Sequence, residues 1–273
     1  MSLSLAIIRF GQRLLGDGVL ARALTRLGIA DLLRRRRDRT VLRVGVYHAP
    51  LMGKTAKFHV TSRTELTHID AFWREEALLR QMLTAVHEGD TVWDVGANIG
   101  LMSLALLLHA PDRLLSLHAF EPEPHNAAAL RRNIEANGIM GAIVHEVALG
   151  DRTGEAPLHI EDNAGGGSHS LVRKTGRAIT VTQQTADALA ASIGMPDVMK
   201  IDVEGAELAV LHGMRQLLSQ RCVRELFIEL HPTLMPERDR GPQLLHDLLR
   251  SHNYERVWHH RRGSEQHVHY RSA

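Results

Sequence analysis

The stretch Val92-Trp93-Asp94-Val95-Gly96-Ala97-Asn98-Ile99-Gly100 constrains this chain more than any other, because it puts a short apolar strand, a turn bearing two glycines and an apolar helix in immediate succession. Gly96 and Gly100 lack a Cβ, so the turn can adopt torsions other residues resist and a ligand can lie against the backbone. Downstream the pattern repeats. Strands are expected over Thr91 to Val95, Leu115 to Phe120, Ile143 to Ala148, Val198 to Asp202 and Glu225 to Leu230. Helices are expected over Gly100 to His109, His125 to Asn137 and Ala206 to Leu218. Alternation of this kind calls for a parallel sheet with helices on both faces, an α/β fold whose ligands bind at the carboxyl edge of the strands.

Glycines alone fit a plain strand-to-helix turn; charge narrows the choice of ligand. A dinucleotide site normally uses G-x-G-x-x-G and must accept a pyrophosphate. Here the glycines are spaced differently and Asp94 stands at the expected mouth, where a carboxylate repels phosphate and attracts an ammonium or a sulfonium. Glu121, in Phe120-Glu121-Pro122, follows the next strand at the distance where an acid accepts hydrogen bonds from two ribose hydroxyls; helix capping is its structural alternative.

Two further strand ends carry polar groups. In Lys200-Ile201-Asp202-Val203-Glu204-Gly205-Ala206-Glu207, strand alternation puts Lys200, Asp202 and Glu204 on one side where the chain stays extended, and Asp202, ending the strand, should face the same edge as Asp94. Glu204 and Glu207 can equally serve as acids at a helix start. Phe227-Ile228-Glu229-Leu230-His231-Pro232 ends an apolar strand in a histidine, a candidate general base by its near-neutral pKa, although it is one of eighteen histidines.

The remainder is organised around this core. Residues 1–40 form a basic amphipathic helical extension, with Arg9, Arg13, Arg22, Arg26, Arg34, Arg35, Arg36, Arg37 and Arg39 against Asp17, Asp31 and Asp38. It could touch an anionic membrane surface or an acidic partner, or simply pack on the main domain. Residues 41–86 form a lead-in, one or two strands between Val41 and Val60 and a helix from Asp70 to Val86. Residues 87–262 form the main α/β domain, and 263–273 a polar tail expected to fray or to form an edge strand. His259, His260, His267 and His269 lack closed metal-ligand spacing, so no metal is expected. The single cysteine, Cys222, rules out an internal disulfide. No apolar run reaches the ~20 residues that span a bilayer, which makes the cytoplasm the expected location. The core has no basic, aromatic-rich stretch for nucleic acid.

Asp94-Val-Gly-Ala-Asn-Ile-Gly100, Phe120-Glu121-Pro122, Val147-Ala-Leu-Gly-Asp151, the glycine-serine stretch from Asn163 to Ser170, Lys200-Ile-Asp-Val-Glu-Gly-Ala-Glu207 and Glu229-Leu-His-Pro232 together resemble the FkbM family of methyltransferases, in the family's order from His68 to Tyr254. The resemblance implies a class I (Rossmann-like) methyltransferase fold: a seven-stranded, mostly parallel sheet with one antiparallel strand near the edge. It implies S-adenosyl-L-methionine as cofactor and O-methylation of a small-molecule hydroxyl on a sugar, glycolipid or secondary metabolite. Carried over by position, Asp94, Gly96, Asn98 and Gly100 match the methionine-binding loop and Glu121 the ribose-binding acid. Val147 and Ala148 border the adenine, with Glu146 a lesser contributor. Asp202, Glu204 and His231 match the acceptor-side motifs, with Asp202 or His231 as candidate base and Glu204 orienting the acceptor or cofactor. Asp162 to Ser170 would form either a flap over the acceptor or a plain hairpin loop. The rivals are a noncatalytic binding protein on the same fold and an NAD-dependent oxidoreductase.

Overall fold

A computed structural model describes residues 29–113, 115–160, 169–172, 177–236 and 240–273. Most of the basic extension, and most of the expected flap, lie outside the described residues. In chain order the lead-in comprises α1 (Ile29–Val44), β1 (Val46–Leu51), β2 (Lys54–His59), α2 (Arg63–Asp70), a 3-10 turn Phe72–Arg74 and α3 (Glu76–Ala85). The core follows with β3 (Thr91–Val95), α4 (Leu101–His109), β4 (Ser116–Phe120), α5 (Pro124–Ala136), β5 (Ala142–His145), β6 (Ala148–Leu149), β7 (Gly154–Ile160) and β8 (Arg177–Gln184). It closes with α6 (Ala186–Ile193), β9 (Val198–Ile201), α7 (Glu207–His212), α8 (Arg215–Ser219), β10 (Glu225–Leu230), α9 (Gly241–Ser251), β11 (Tyr254–Arg262) and β12 (Glu265–Ser272).

The main sheet has seven strands in the order β5-β4-β3-β9-β10-β12-β11. The pairs from β5 through β10 are parallel, and β12 runs antiparallel to both β10 and β11. This is the expected class I arrangement. Strand order reverses between β3 and β9, and the crevice outside their carboxyl ends is the place such sheets offer a ligand. Alternating side chains feed two cores. Val92, Leu117, Val198 and Phe227 pack with α3, α4 and α5, while Trp93, Met199, Leu226 and Ile228 pack with α6 to α9. Both faces are thus covered, which is why the parallel strands are nearly continuous in hydrophobicity.

Four local expectations are corrected. The helix expected from Asp70 to Val86 is a 3-10 turn followed by α3, and Asp70 itself ends α2. α2 starts in a capping box, with Ser62 Oγ accepting from Glu65 N–H and the Glu65 carboxylate accepting from Ser62 N–H. The short strands expected between Val41 and Val60 are present as β1 and β2, with Val41 to Val44 belonging to α1. The run Ile143 to Ala148 divides between the main sheet and a small sheet ordered β6-β8-β7. The helix expected from Ala206 to Leu218 breaks at Gly213, where a Cβ would lie 1.9 Å from the Gly150 carbonyl oxygen. The tail neither frays nor lies at an edge: β12 sits between β10 and β11, with His267 fully buried. Its polar residues misled because their partners are buried acids on distant strands.

α1 turns one of its arginines inward. Arg37 donates to Asp38 and, at 2.5 Å, to Asp70, while Arg34, Arg35, Arg36 and Arg39 are exposed. Among the described residues, no helix is long and apolar enough to cross a membrane.

Candidate active site

The loop after β3 is built by its own hydrogen bonds. Gly96 and Ala97 N–H both donate to the Phe120 carbonyl at 3.0 Å, Asn98 N–H to the Glu121 carboxylate at 2.8 Å, Ile99 N–H to the Asn98 side chain at 2.7 Å and Gly100 N–H to Ala97 at 2.9 Å. Five successive donors are therefore committed inside the protein. A pyrophosphate cradle needs such donors free, so the loop suits a ligand without phosphates.

Gly96 has φ +83°, and a Cβ there would lie 1.7 Å from the Asp202 carbonyl oxygen. The loops after β3 and β9 touch at that point, and only glycine permits it. Gly100 has φ +94° and sits against Leu130 and Leu104. Asn133 holds the far side, donating to the Ile99 carbonyl at 2.9 Å and accepting from His59 N–H of β2 at 2.8 Å.

These loops border a cavity of about 360 Å³. Gly96, Asn98, Glu121, Val147 and Ala148 line it, as do Asp202, Glu204 and His231 from the ends of β9 and β10. Gly100 shapes the turn from outside the wall. Asp94 is a correction: it stands beneath the loop, not at the mouth. Its carboxylate, 1 % exposed, accepts from Ser103 Oγ at 2.5 Å and from Lys200 Nζ at 3.2 Å. Glu146 also turns away, pairing with Arg131 at 3.0 Å.

Glu121 ends β4 with both oxygens engaged, one by Asn98 N–H and the other by Glu123 N–H at 2.9 Å. Burial raises its pKa to about 7 despite those two donors. Apolar Phe120, Val147, Leu149 and Leu158 share its part of the wall.

The opposite wall is a buried charge cluster whose cross-strand register the sheet dictates. Asp94 is paired with Lys200, and Glu229 with His267. Lys200 Nζ also donates to Asp202 at 3.1 Å. Burial would lower the Lys200 pKa, but Asp202 and Asp94 override it and hold the ammonium charged. Burial would likewise raise the Asp202 pKa, and Lys200 and His231 outweigh it, so that carboxylate sits below its ordinary range.

His231 Nδ1 lies 2.8 Å from the buried Glu207 carboxylate, and its Nε2 faces Glu204 at 3.7 Å and Asp202 and Glu229 at 3.9 Å. Against burial, the Glu207 hydrogen bond and the surrounding acids raise its pKa to about 10. His231 is therefore an imidazolium near neutral pH. Glu204 is the reverse case, with burial, Asp202 and Glu229 lifting its carboxyl to about 8 against the pull of His231. Its backbone is in the left-handed region, φ +50°, a costly conformation for a non-glycine residue and one often found at functional sites. Ser170 Oγ donates to its carbonyl at 2.7 Å.

Several cavity residues escaped sequence reasoning. His68 and Glu75 come from the lead-in, Arg262 from β11 and Lys200 from β9. Burial lowers the His68 pKa and keeps it neutral. Arg262 joins Glu75 of the lead-in to Glu229 of β10 and pairs with Glu265 at 2.6 Å, so it staples the two walls. Two groups, Glu75 with Glu229 and His267, and Asp202 with Glu229 and His231, bring ligand atoms within 4.8 Å. Each already faces a cation, Arg262 and Lys200 respectively. Of the four tail histidines, His267 alone joins such a group; His269 pairs with Glu225 at 2.6 Å, and His259 and His260 are exposed.

Comparison with known proteins agrees with this geometry. Residues 94–256 match the methyltransferase FkbM domain. The hexuronic acid methyltransferase AglP of Haloferax volcanii is 29% identical over 216 residues, covering 77% of this chain and 86% of that protein. The 31-O-demethyl-FK506 methyltransferase FkbM of Streptomyces tacrolimicus is 30% identical over 175 residues, 52% of this chain and 66% of that one. A crystal structure of methyltransferase FkbM from Methylobacillus flagellatus KT shares 17% identity over 89% of this chain and 60% of its own longer chain, with a TM-score of 0.49. The domain match spans more than half of the chain and contains the glycine loop, the β4 acid and both acceptor-side motifs, so this protein belongs to the FkbM family of S-adenosylmethionine-dependent methyltransferases.

Proposed function

We propose that the chain methylates a hydroxyl oxygen of a small-molecule acceptor, on a sugar, a glycolipid or a secondary metabolite. The names of the relatives, one a hexuronic acid methyltransferase and one a 31-O-demethyl-FK506 methyltransferase, support this acceptor class. In this reading Gly96, Asn98 and Gly100 shape the methionine end of the donor site, with Asp94 bracing it from below through Ser103 and Lys200. Glu121 receives the ribose hydroxyls, and Val147 and Ala148 flank the adenine. S-adenosylmethionine supplies an electrophilic methyl group on a cationic sulfur.

What the chain must add is a place for the hydroxyl proton, because an un-ionised alcohol is a poor nucleophile. A base works best when its pKa lies near the operating pH. Asp202 is held too acidic by Lys200, and His231 is already protonated. Glu204, with a pKa of about 8, is the group that accepts the proton. His231 stays charged beside it, oriented by Glu207, and stabilises the ionised carboxylate. The observation that carries this assignment is the juxtaposition of Glu204 and His231 on the cavity wall opposite the glycine loop. Its test is transfer from labelled S-adenosylmethionine to a hydroxyl acceptor by the wild type and by Glu204→Gln. Donor binding must survive the substitution while turnover falls ~10²-fold or more. Binding without transfer to any acceptor would favour a noncatalytic role.

A further inference from the structure

Beside the cavity, and sharing Arg74, Arg262 and Glu265 with it, lies a second hollow of about 450 Å³. One wall is the 3-10 turn and the start of α3, with Trp73, Arg74 and Ala77; the other is the tip of the β11–β12 hairpin, with His260, Gly263 and Ser264. The Arg262–Glu75 ion pair clamps the two walls together one residue away from Arg74. Phe72, 3 % exposed, anchors the turn in the core.

Within the cleft, Trp73 is 67 % exposed, a large apolar face left in water at the entrance to a reaction cavity. The Arg74 guanidinium lies 5.4 Å from the indole centroid, over its ring. Arg74 differs from the other strong cations of the cavity. Lys200 is held by Asp94 and Asp202, and Arg262 by Glu75, Glu229 and Glu265. Arg74 has no carboxylate within ion-pair reach among the described residues; its one contact there is the indole. A flat amphipathic ring beside a guanidinium fork with open donors suits a sugar ring bearing an anionic group, the C–H face on the indole and the anion on the fork.

We infer that this cleft is an acceptor subsite for an anionic sugar, joined to the sugar that is methylated or being that sugar's own acidic substituent. The inference rests on the proposed sugar hydroxyl acceptor and adds its charge and its second point of attachment. The cations deeper in the cavity, Lys200 and Arg262, are already held by carboxylates, so the anion binds at the rim on Arg74 and leaves the hydroxyl to face Glu204.

The test uses the whole protein saturated with S-adenosylhomocysteine and a panel of disaccharides that differ at C6 of one residue, as alcohol, carboxylate or phosphate. Binding is followed by calorimetry and by the indole N–H resonance of Trp73. The carboxylate or phosphate members bind about tenfold or more tighter than the alcohols, as a charge-assisted bidentate contact implies. Arg74→Gln erases that preference, and Trp73→Ala weakens all members alike. Trp73 lies outside the wall of the first cavity, so Trp73→Ala leaves affinity for S-adenosylhomocysteine unchanged. A tighter carboxylate series names a uronic acid, and a tighter phosphate series a sugar phosphate. Equal binding of charged and neutral members, or a preference that survives Arg74→Gln, overturns the inference, as does failure of every member to bind while S-adenosylhomocysteine still binds. Failure to bind S-adenosylhomocysteine would instead refute the donor-site reading.

Discussion

The pH dependence of turnover separates Glu204 as proton acceptor from His231 beside it and from His68, an imidazole elsewhere on the cavity wall. Glu204 has a pKa of about 8, so roughly one tenth of it is ionised at pH 7 and about nine tenths at pH 9. If it is the base, kcat/KM for the donor, which reports the free enzyme, rises about tenfold between pH 7 and 9 and then levels off. His231, with its pKa near 10, would give a rise of about tenfold per pH unit that continues past pH 9. His68, lowered from its ordinary value by burial, would give a flat profile across the same range. The assay is the initial rate of S-adenosylhomocysteine formation from pH 6 to 10 with a hydroxyl acceptor. Glu204→Gln should remove the inflection along with ~10² to 10⁴ of the rate. A flat profile, or a rise without a plateau at pH 9, would refute the assignment of the proton to Glu204.

Three other outcomes follow from the geometry. Gly96→Ala forces a Cβ to 1.7 Å from the Asp202 carbonyl oxygen at φ +83°; unfolding in urea should show a loss of at least about 2 kcal/mol, and calorimetry the loss of donor binding. Glu207→Gln replaces the anion on His231 Nδ1 with a neutral acceptor, and the titration midpoint of the His231 ring proton in NMR should fall by at least about one unit from near 10. His267 is raised to about 9 by Glu229 and Glu75 against burial, so its stabilising charge is fully present below its ordinary pKa of about 6.5 and is lost as pH rises through 9. Melting temperature should therefore fall from pH 6.5 to 10, by an amount on the order of 3 kcal/mol in stability, and His267→Gln should flatten that fall.

The glycine-loop side of the cavity was legible in the sequence because it is local. A strand, a turn and a helix fall within Thr91 to His109, and the glycines mark a contact that no side chain tolerates. The strand ends at Asp202 and His231 were legible for the same reason, since apolar runs fix where each strand stops at the sheet edge. The neutralising half was not. Asp94 reads as a free carboxylate until Lys200 is placed opposite it, a pairing set by sheet register between residues over a hundred apart. Glu75, Arg262 and His267 meet because β12 inserts between β10 and β11 and because the lead-in folds over the cavity. In sequence each looks like an ordinary surface residue. The split of the Asp70 to Val86 segment was hidden because Phe72, which anchors the break, fits a helical apolar stripe equally well.

Methyl transfer to oxygen needs both a donor site at the β3–β9 crevice and a proton acceptor at Glu204. Incubation with S-adenosylmethionine carrying a trideuterated methyl, a panel of neutral and acidic sugar acceptors, and product analysis by tandem mass spectrometry test it most directly. The account predicts a trideuteromethyl ether on a sugar oxygen, lost in Glu204→Gln while donor binding is retained. A label found on nitrogen or carbon, or full transfer by Glu204→Gln, would contradict it.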